Sequence, residues 1–151
     1  MKNISTDTLH AFTLPNYQEI PDFGLYLDQV AKYINSFLTC FPEMNVTTSM
    51  ISNYAKQKLI DRVNKKTYTR EQIAVLILIV LFKNVISIDN IRTLLAQYED
   101  HASMYADFQK TLMDTCHDNH PLADTDSVLY HIAVALSKKM YLELFFETDT
   151  H

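Results

Sequence analysis

One cluster in the sequence has residue types suited to metal binding or nucleophilic catalysis. Its members are Asp114, Cys116, His117, Asp118 and His120. A histidine that directly follows a cysteine cannot activate it, because the two side chains diverge, and a metal on this proline-containing loop would need a further ligand from elsewhere. We therefore expect a solvated polar turn here, with no metal site and no catalytic residue.

Other enzyme motifs are missing from the sequence. It contains no phosphate-binding loop, nucleophile elbow, zinc-protease motif or deaminase motif. Gly24 is the single glycine of the 151 residues, which argues against the tight turns that many cofactor sites need. We expect a protein that is not an enzyme and that uses no cofactor.

Two further features bear on the cellular compartment. Cys40 and Cys116 lie far apart without metal-type spacing, which favours free, buried thiols in a reducing environment. Lys2 is not followed by a signal-like apolar segment, and the longest apolar run, 73–82, is about half of what a bilayer requires. The sequence predicts a cytoplasmic protein without a membrane partner.

Positive charge is concentrated in one stretch of an acidic chain. The formal net charge is −5, yet the stretch between positions 56 and 70 has a balance of +5. Its basic residues are Lys56, Lys58, Arg62, Lys65, Lys66 and Arg70. Such a stretch is typical either of a nucleic-acid contact surface or of a solvated charge run.

The pattern of apolar residues predicts an all-α chain. Residues 1–21 are expected to form an extended arm anchored by Leu14 and Ile20. Periodicity at three- and four-residue intervals predicts a helix that is capped by Asp22 and ends before Pro42. Charge and turn formers predict a small two-stranded wing near 59–68.

Capping residues locate the later helices. Thr69 and Gln72 match a capping box, so the apolar run 73–82 is predicted to be a fully buried helix. Ser87 is expected to cap the next helix, and further helices are predicted at about 102–116 and 125–146. We expect one cooperative unit with an arm at 1–21, a helix-turn-helix domain at 22–98 and a packed helical extension at 101–147.

A short helix that begins at Thr47 or Thr48 has two contrasting faces. Its inward face is predicted to contain Met50, Ile51, Tyr54 and Ala55. Its outward face is predicted to contain Ser49, Ser52, Asn53 and Lys56. A row of small polar groups with one cation is a suitable surface for the major groove of DNA.

This order of elements resembles the MerR-type winged helix-turn-helix head. The resemblance is carried by 50–60, by 64–71 with its Tyr-Thr-Arg-Glu segment, and by 85–91. The chain is also similar to an uncharacterised Gram-positive bacterial family, a domain of unknown function grouped with MerR-like proteins, through 14–17, 21–30, 50–54 and 65–71. This second similarity extends from 14 to about 98. Ser52 stands where the MerR head usually has an arginine, which leaves Lys56, Lys65 and Lys66 as the expected phosphate contacts. Lys58 stands where that head usually has a glycine, which predicts a different turn geometry after the helix.

The resemblance implies a transcriptional regulator that binds double-stranded DNA. The candidate contact residues are Ser49, Ser52, Asn53, Lys56, Lys58, Arg62, Lys65, Lys66, Tyr68 and Arg70. Asn53 is the leading candidate for base recognition, and palindromic operators would call for a homodimer. The alternative is a helical module that binds a protein or a small effector without DNA, through aromatic residues that follow position 97.

Overall fold

The computed structural model describes residues 4–61, 66–117 and 126–149. Within these ranges the chain forms seven α-helices, and two short 3-10 helices occur at Tyr17–Glu19 and Pro42–Met44. The α-helices are α1 (Ile4–Ala11), α2 (Leu27–Asn35), α3 (Thr48–Lys56), α4 (Arg70–Phe82), α5 (Ile88–Ala96), α6 (His101–Cys116) and α7 (Val128–Asp149). The all-α prediction is confirmed for the described residues.

Helix α4 lies at the centre of the core. Every residue from Ile73 to Phe82 is buried, and α4 packs against both α6 and α7. Thr69 caps the helix as predicted. Its Oγ1 accepts a hydrogen bond from the Gln72 amide at 3.1 Å, and Gln72 Oε1 accepts one from the Thr69 amide at 2.9 Å. An apolar run of this length is stable as a helix only when it is covered on all sides.

The amino-terminal residues differ from the prediction of an extended arm. Residues 4–11 form α1, which packs on α7. Leu9 and Phe12 are buried, and the Phe12 ring meets the Phe41 ring edge to face at 5.6 Å. The helix is stabilised by these tertiary contacts, which a weak local pattern does not reveal.

The following segment keeps the two predicted anchors. Leu14 and Ile20 are both buried. The Tyr105 hydroxyl donates a hydrogen bond to the Pro15 carbonyl at 2.7 Å, and Gln109 Nε2 donates one to the Leu14 carbonyl at 3.2 Å. Side chains of α6 therefore hold this segment along the helix surface.

Two further predictions were wrong. Asp22 does not cap α2, which begins after Tyr26, because residues 22–26 are held in a different conformation. Among the described residues there is no β-strand, and Tyr68 forms an isolated antiparallel bridge with Leu25. Residues 62–65 of the two-stranded wing predicted near 59–68 lie outside the described residues. The described part, 59–61 and 66–68, contains no strand, and the backbone of Tyr68 is paired with the segment before α2.

Gly24 makes this bridge possible. Its φ is +84°, and a Cβ atom at this position would lie 3.0 Å from Thr67 Oγ1 and 3.1 Å from Thr67 Cβ. Both the left-handed backbone and the close approach favour glycine. The single glycine of the chain thus joins the amino-terminal segment to the start of α4.

The buried side chains form one contiguous cluster from Leu9 to Leu144. In the described part of the chain, none of the helices combines the length and apolar character needed to cross a bilayer.

Candidate nucleic-acid interface

Helix α3 has the two faces that the sequence predicts. Thr47 caps it, since Thr47 Oγ1 accepts a hydrogen bond from the Met50 amide at 3.1 Å. Ile51 and Tyr54 are buried, and burial raises the pKa of the Tyr54 phenol. On the opposite face Ser49, Asn53 and Lys56 are exposed and Ser52 is half-buried.

The connection between α2 and α3 is fixed by one side chain. Asn35 Nδ2 donates a hydrogen bond to the Val46 carbonyl at 2.9 Å, and Asn35 Oδ1 accepts one from the Val46 amide at 2.8 Å. Met44 and Val46 are buried beneath this contact. The connection is longer than a helix-turn-helix turn, yet it positions α3 firmly against the core.

The carboxyl end of α3 is closed by a Schellman motif. The Leu59 amide donates to the Tyr54 carbonyl and the Lys58 amide to the Ala55 carbonyl, both at 3.0 Å. Lys58 has φ of +60°, the left-handed conformation that glycine usually provides at this position. A lysine at this position therefore does not prevent the left-handed turn that ends α3.

Sequence reasoning missed a further cation at this helix end. Arg92 of α5 donates from Nη2 to the Gln57 carbonyl at 2.8 Å and pairs with Asp89 at 3.2 Å, while 44% of its side chain stays exposed. Arg92 and Lys58 both line a cavity of about 480 Å³. Arg92 lies outside the basic stretch, so only the packing of α5 on the end of α3 could identify it.

Arg70 packs against the segment before α2. Its Nε donates to the Ile20 carbonyl at 2.7 Å, Nη1 donates to Gln18 Oε1 at 3.1 Å, and Nη2 donates to the Gln18 carbonyl at 3.2 Å. The same guanidinium lies 3.4 Å from an Asp22 carboxylate oxygen and 5.7 Å from the centre of the Tyr17 ring. We therefore withdraw Arg70 from the candidate DNA contacts, because these groups occupy its donors.

A model of the family described as a domain of unknown function, DUF1836, matches residues 15–115. The chain belongs to this family. No curated protein and no solved structure matches the chain. The family region extends past the end of the similarity seen at 14–98 and includes all of α6 except Cys116.

The DUF1836 region contains the candidate DNA-binding helix and the contacts of Arg70. It includes α3 with its Schellman turn and the Arg70 contacts with the segment before α2. It excludes α1 and α7, although both contribute to the core. The family region thus acquires part of its packing from helices on either side of it.

The remaining candidate DNA contacts differ in their exposure to solvent. Tyr68 is 3% exposed, so its ring cannot belong to a surface that meets DNA, and it is withdrawn. Lys66 is exposed close to the Leu25–Tyr68 bridge. Arg62 and Lys65 lie outside the described residues.

The polar cluster at 114–120 is described only in part, since Asp118 and His120 lie outside the described residues. Cys116 is buried, which raises the pKa of its thiol to about 12, so the thiol is a poor nucleophile near neutral pH. His117 Nε2 lies 2.6 Å from the Phe12 carbonyl. Within the described ranges no group of three or more His, Cys, Asp or Glu residues could hold a metal ion.

Proposed function

We propose that the protein binds double-stranded DNA and that α3 is the helix that enters the major groove, as in a MerR-like helix-turn-helix. The observation that carries the proposal is the exposed polar face of α3. Ser49, Asn53 and Lys56 fall on one side of a helix whose other side is buried. Within the described residues, these three side chains form no hydrogen bond with another part of the chain.

The surroundings of α3 support this role. Thr47, the Asn35 contact and the Schellman turn hold both ends of the helix, so little conformational entropy would be lost on binding. Lys58 and Arg92 add cationic groups at the carboxyl end. Cations of this kind neutralise phosphates and orient the protein, while an asparagine amide can pair with adenine in two ways.

The wing of the MerR head is not part of this proposal. The proposed surface consists of α3 and the cations at its carboxyl end, with Lys66 as a separate exposed cation. Because the formal net charge is −5, the chain as a whole repels DNA, and binding depends on this local surface. A regulatory role through palindromic sites, which a homodimer would occupy, is the simplest use of such a surface.

The first test is selection of binding sites from random double-stranded DNA with the full chain. We expect a discrete consensus and an affinity that falls steeply with salt, with a log–log slope of about 0.9 per phosphate contact. Inverted half-sites spaced by about one helical turn would show that two copies bind. If no consensus emerges and binding is equally weak for all sequences, the proposal is wrong.

Substitutions then separate base recognition from phosphate contacts. Asn53→Ala should reduce the preference at one base position by about 1–3 kcal/mol and leave non-specific binding nearly unchanged. Lys56→Ala should weaken binding to all sequences alike and lower the salt slope by about one. Lys110→Ala on α6, which also removes an exposed lysine, is the matched control.

Folding must be checked for each variant. Because Asn53 is exposed, Asn53→Ala should unfold at the same temperature as the parent chain. If Asn53→Ala and Lys56→Ala bind every sequence as before, α3 does not contact DNA and the interaction-module alternative is preferred.

A further inference from the structure

The carboxyl half of α7 exposes large apolar side chains. Leu142 is 52% exposed, Phe145 is 42% exposed and Phe146 is 61% exposed, while Met140 and Leu144 on the opposite face are buried. Helices of monomeric proteins seldom present such a group of residues to water without a binding partner.

A groove of about 500 Å³ runs beside this part of α7. One wall is formed by Leu142 and Phe146 of α7, and the other by the segment from Cys40 to Glu43, which includes Pro42 and the buried Phe41. The α7 residues that line it extend from position 139 to position 147. That distance corresponds to about two helical turns, roughly 12 Å.

The rim of the groove is acidic. Glu43, Glu143 and Glu147 line it with a single cation, Lys139. Glu143 Oε2 is inaccessible to solvent, and within the described residues it has no hydrogen-bond donor. Burial, together with the neighbouring carboxylates of Glu43 and Glu147, raises the pKa of Glu143, although Lys139 lowers it. Glu143 itself is half-buried and lines the groove, so a rotation of its side chain would bring this oxygen to a cationic ligand that supplies the missing donor.

We propose that this groove binds a basic amphipathic segment of a partner protein, which places an apolar side chain against Leu142 and Phe146 and an arginine or lysine against Glu143. The net charge of the four rim residues favours a cationic segment over an acidic or neutral one. This surface is distinct from α3, and the inference does not rest on DNA binding.

A second copy of the chain is a poorer occupant. A two-fold contact brings the same patch of both copies together. It would therefore place the Glu43, Glu143 and Glu147 carboxylates of one copy beside those of the other. The same acidic rim also repels DNA.

The test begins with a phage-displayed library of random 12-residue peptides, selected on the full chain. We expect the enriched peptides to contain an arginine or lysine within one helical turn of a large apolar residue. Glu143→Gln and Leu142→Ser should each weaken binding of a synthetic enriched peptide by about tenfold or more. Replacing the peptide's arginine by citrulline, which keeps the shape and removes the charge, should have the same effect.

Matched controls use similar residues outside the groove. Glu99→Gln removes an exposed carboxylate, and Val128→Ser removes an apolar side chain that is 47% exposed at the other end of α7. Both variants should bind the peptide like the parent chain. Because Glu143→Gln and Leu142→Ser should bind DNA as before, failure here is distinguishable from failure of the proposed function.

Three results would overturn the proposal. Enriched peptides without a basic residue would contradict the charge argument, and unchanged binding by both groove variants would place the peptide elsewhere. A dimer that Leu142→Ser dissociates in sedimentation experiments, with no peptide enriched, would show that a second copy occupies the groove.

Discussion

The two ends of the basic stretch between Lys56 and Arg70 use their positive charges in opposite ways. At one end Lys56 and Lys58 are exposed beside α3. At the other end Arg70 directs its guanidinium toward the segment before α2, and 23% of its side chain remains exposed. The same kind of residue, 14 positions apart, is available to a ligand in one case and is part of the fold in the other.

The difference follows from side-chain chemistry and from the partners within reach. The planar guanidinium of Arg70 can satisfy several acceptors at once, and the Ile20 and Gln18 carbonyls lie at suitable distances. A lysine ammonium is a compact, strongly hydrated charge that stays in water unless a partner is provided. A run of basic residues in a sequence therefore does not show how many of its charges can reach a ligand.

The largest effect on stability is expected at Arg70. We expect Arg70→Ala to lower the free energy of unfolding by about 1.5–3 kcal/mol, because it leaves the part-buried Ile20 carbonyl without its charged donor. Lys56→Ala should change it by less than about 0.5 kcal/mol, since Lys56 is a surface residue. Urea unfolding of both variants measures the difference.

Arg70→Lys is the matched control for charge. It keeps the cation but loses the forked geometry, so we expect it to restore less than half of the lost stability. If Arg70→Ala is as stable as the parent chain, Arg70 does not anchor the amino-terminal segment. Arg70 would then again be a candidate DNA contact.

A second prediction concerns the bridge beside Arg70. Gly24→Ala should destabilise the protein by about 1–3 kcal/mol, because alanine is strained at φ of +84° and its Cβ would crowd Thr67. Thermal unfolding monitored by circular dichroism measures the loss. Lys58→Ala is the control, because that left-handed position already holds a side chain with a Cβ atom and no new strain arises. An unchanged unfolding temperature for Gly24→Ala would contradict the role given to this glycine.

The helices that were predictable have their determinants within a few residues. Thr47, Thr69 and Ser87 cap α3, α4 and α5 as predicted, because each hydroxyl accepts a hydrogen bond from the amide three residues later. The faces of α3 were also predictable, since helical periodicity alone separates Asn53 from Tyr54.

The features that were missed depend on contacts distant in sequence. Tyr68 pairs with Leu25, which lies 43 positions away, so local turn residues gave a misleading prediction of a wing. The direction of the Arg70 side chain depends on carbonyl groups near position 20. Helix α1 depends on packing against α7, which lies more than a hundred positions later. These contacts form only when distant segments pack together, so the local sequence of neither segment predicts them.

The smallest expected effect on stability is at Lys58, which has a left-handed backbone like that of Gly24. A lysine in the left-handed conformation is strained by about 1–2 kcal/mol relative to glycine, and the greater flexibility of unfolded glycine offsets part of this. Lys58→Gly should therefore stabilise the protein by about 0.5–1 kcal/mol, measured as a rise in the urea midpoint at constant slope.

The same variant tests why a lysine occupies this position. If Lys58 contacts phosphate in the proposed DNA complex, Lys58→Gly should weaken binding to all sequences and lower the salt slope by about one, while the fold becomes more stable. Lys58→Ala should weaken binding equally without the gain in stability, because alanine keeps the strain. Lys58 is strained at a position where glycine would be more stable, and backbone strain of this kind is found at functional sites. If Lys58→Gly is more stable and binds DNA as tightly as the parent chain, the lysine serves neither the fold nor the complex. Among the described residues, the candidate phosphate contacts would then be Lys56, Lys66 and Arg92.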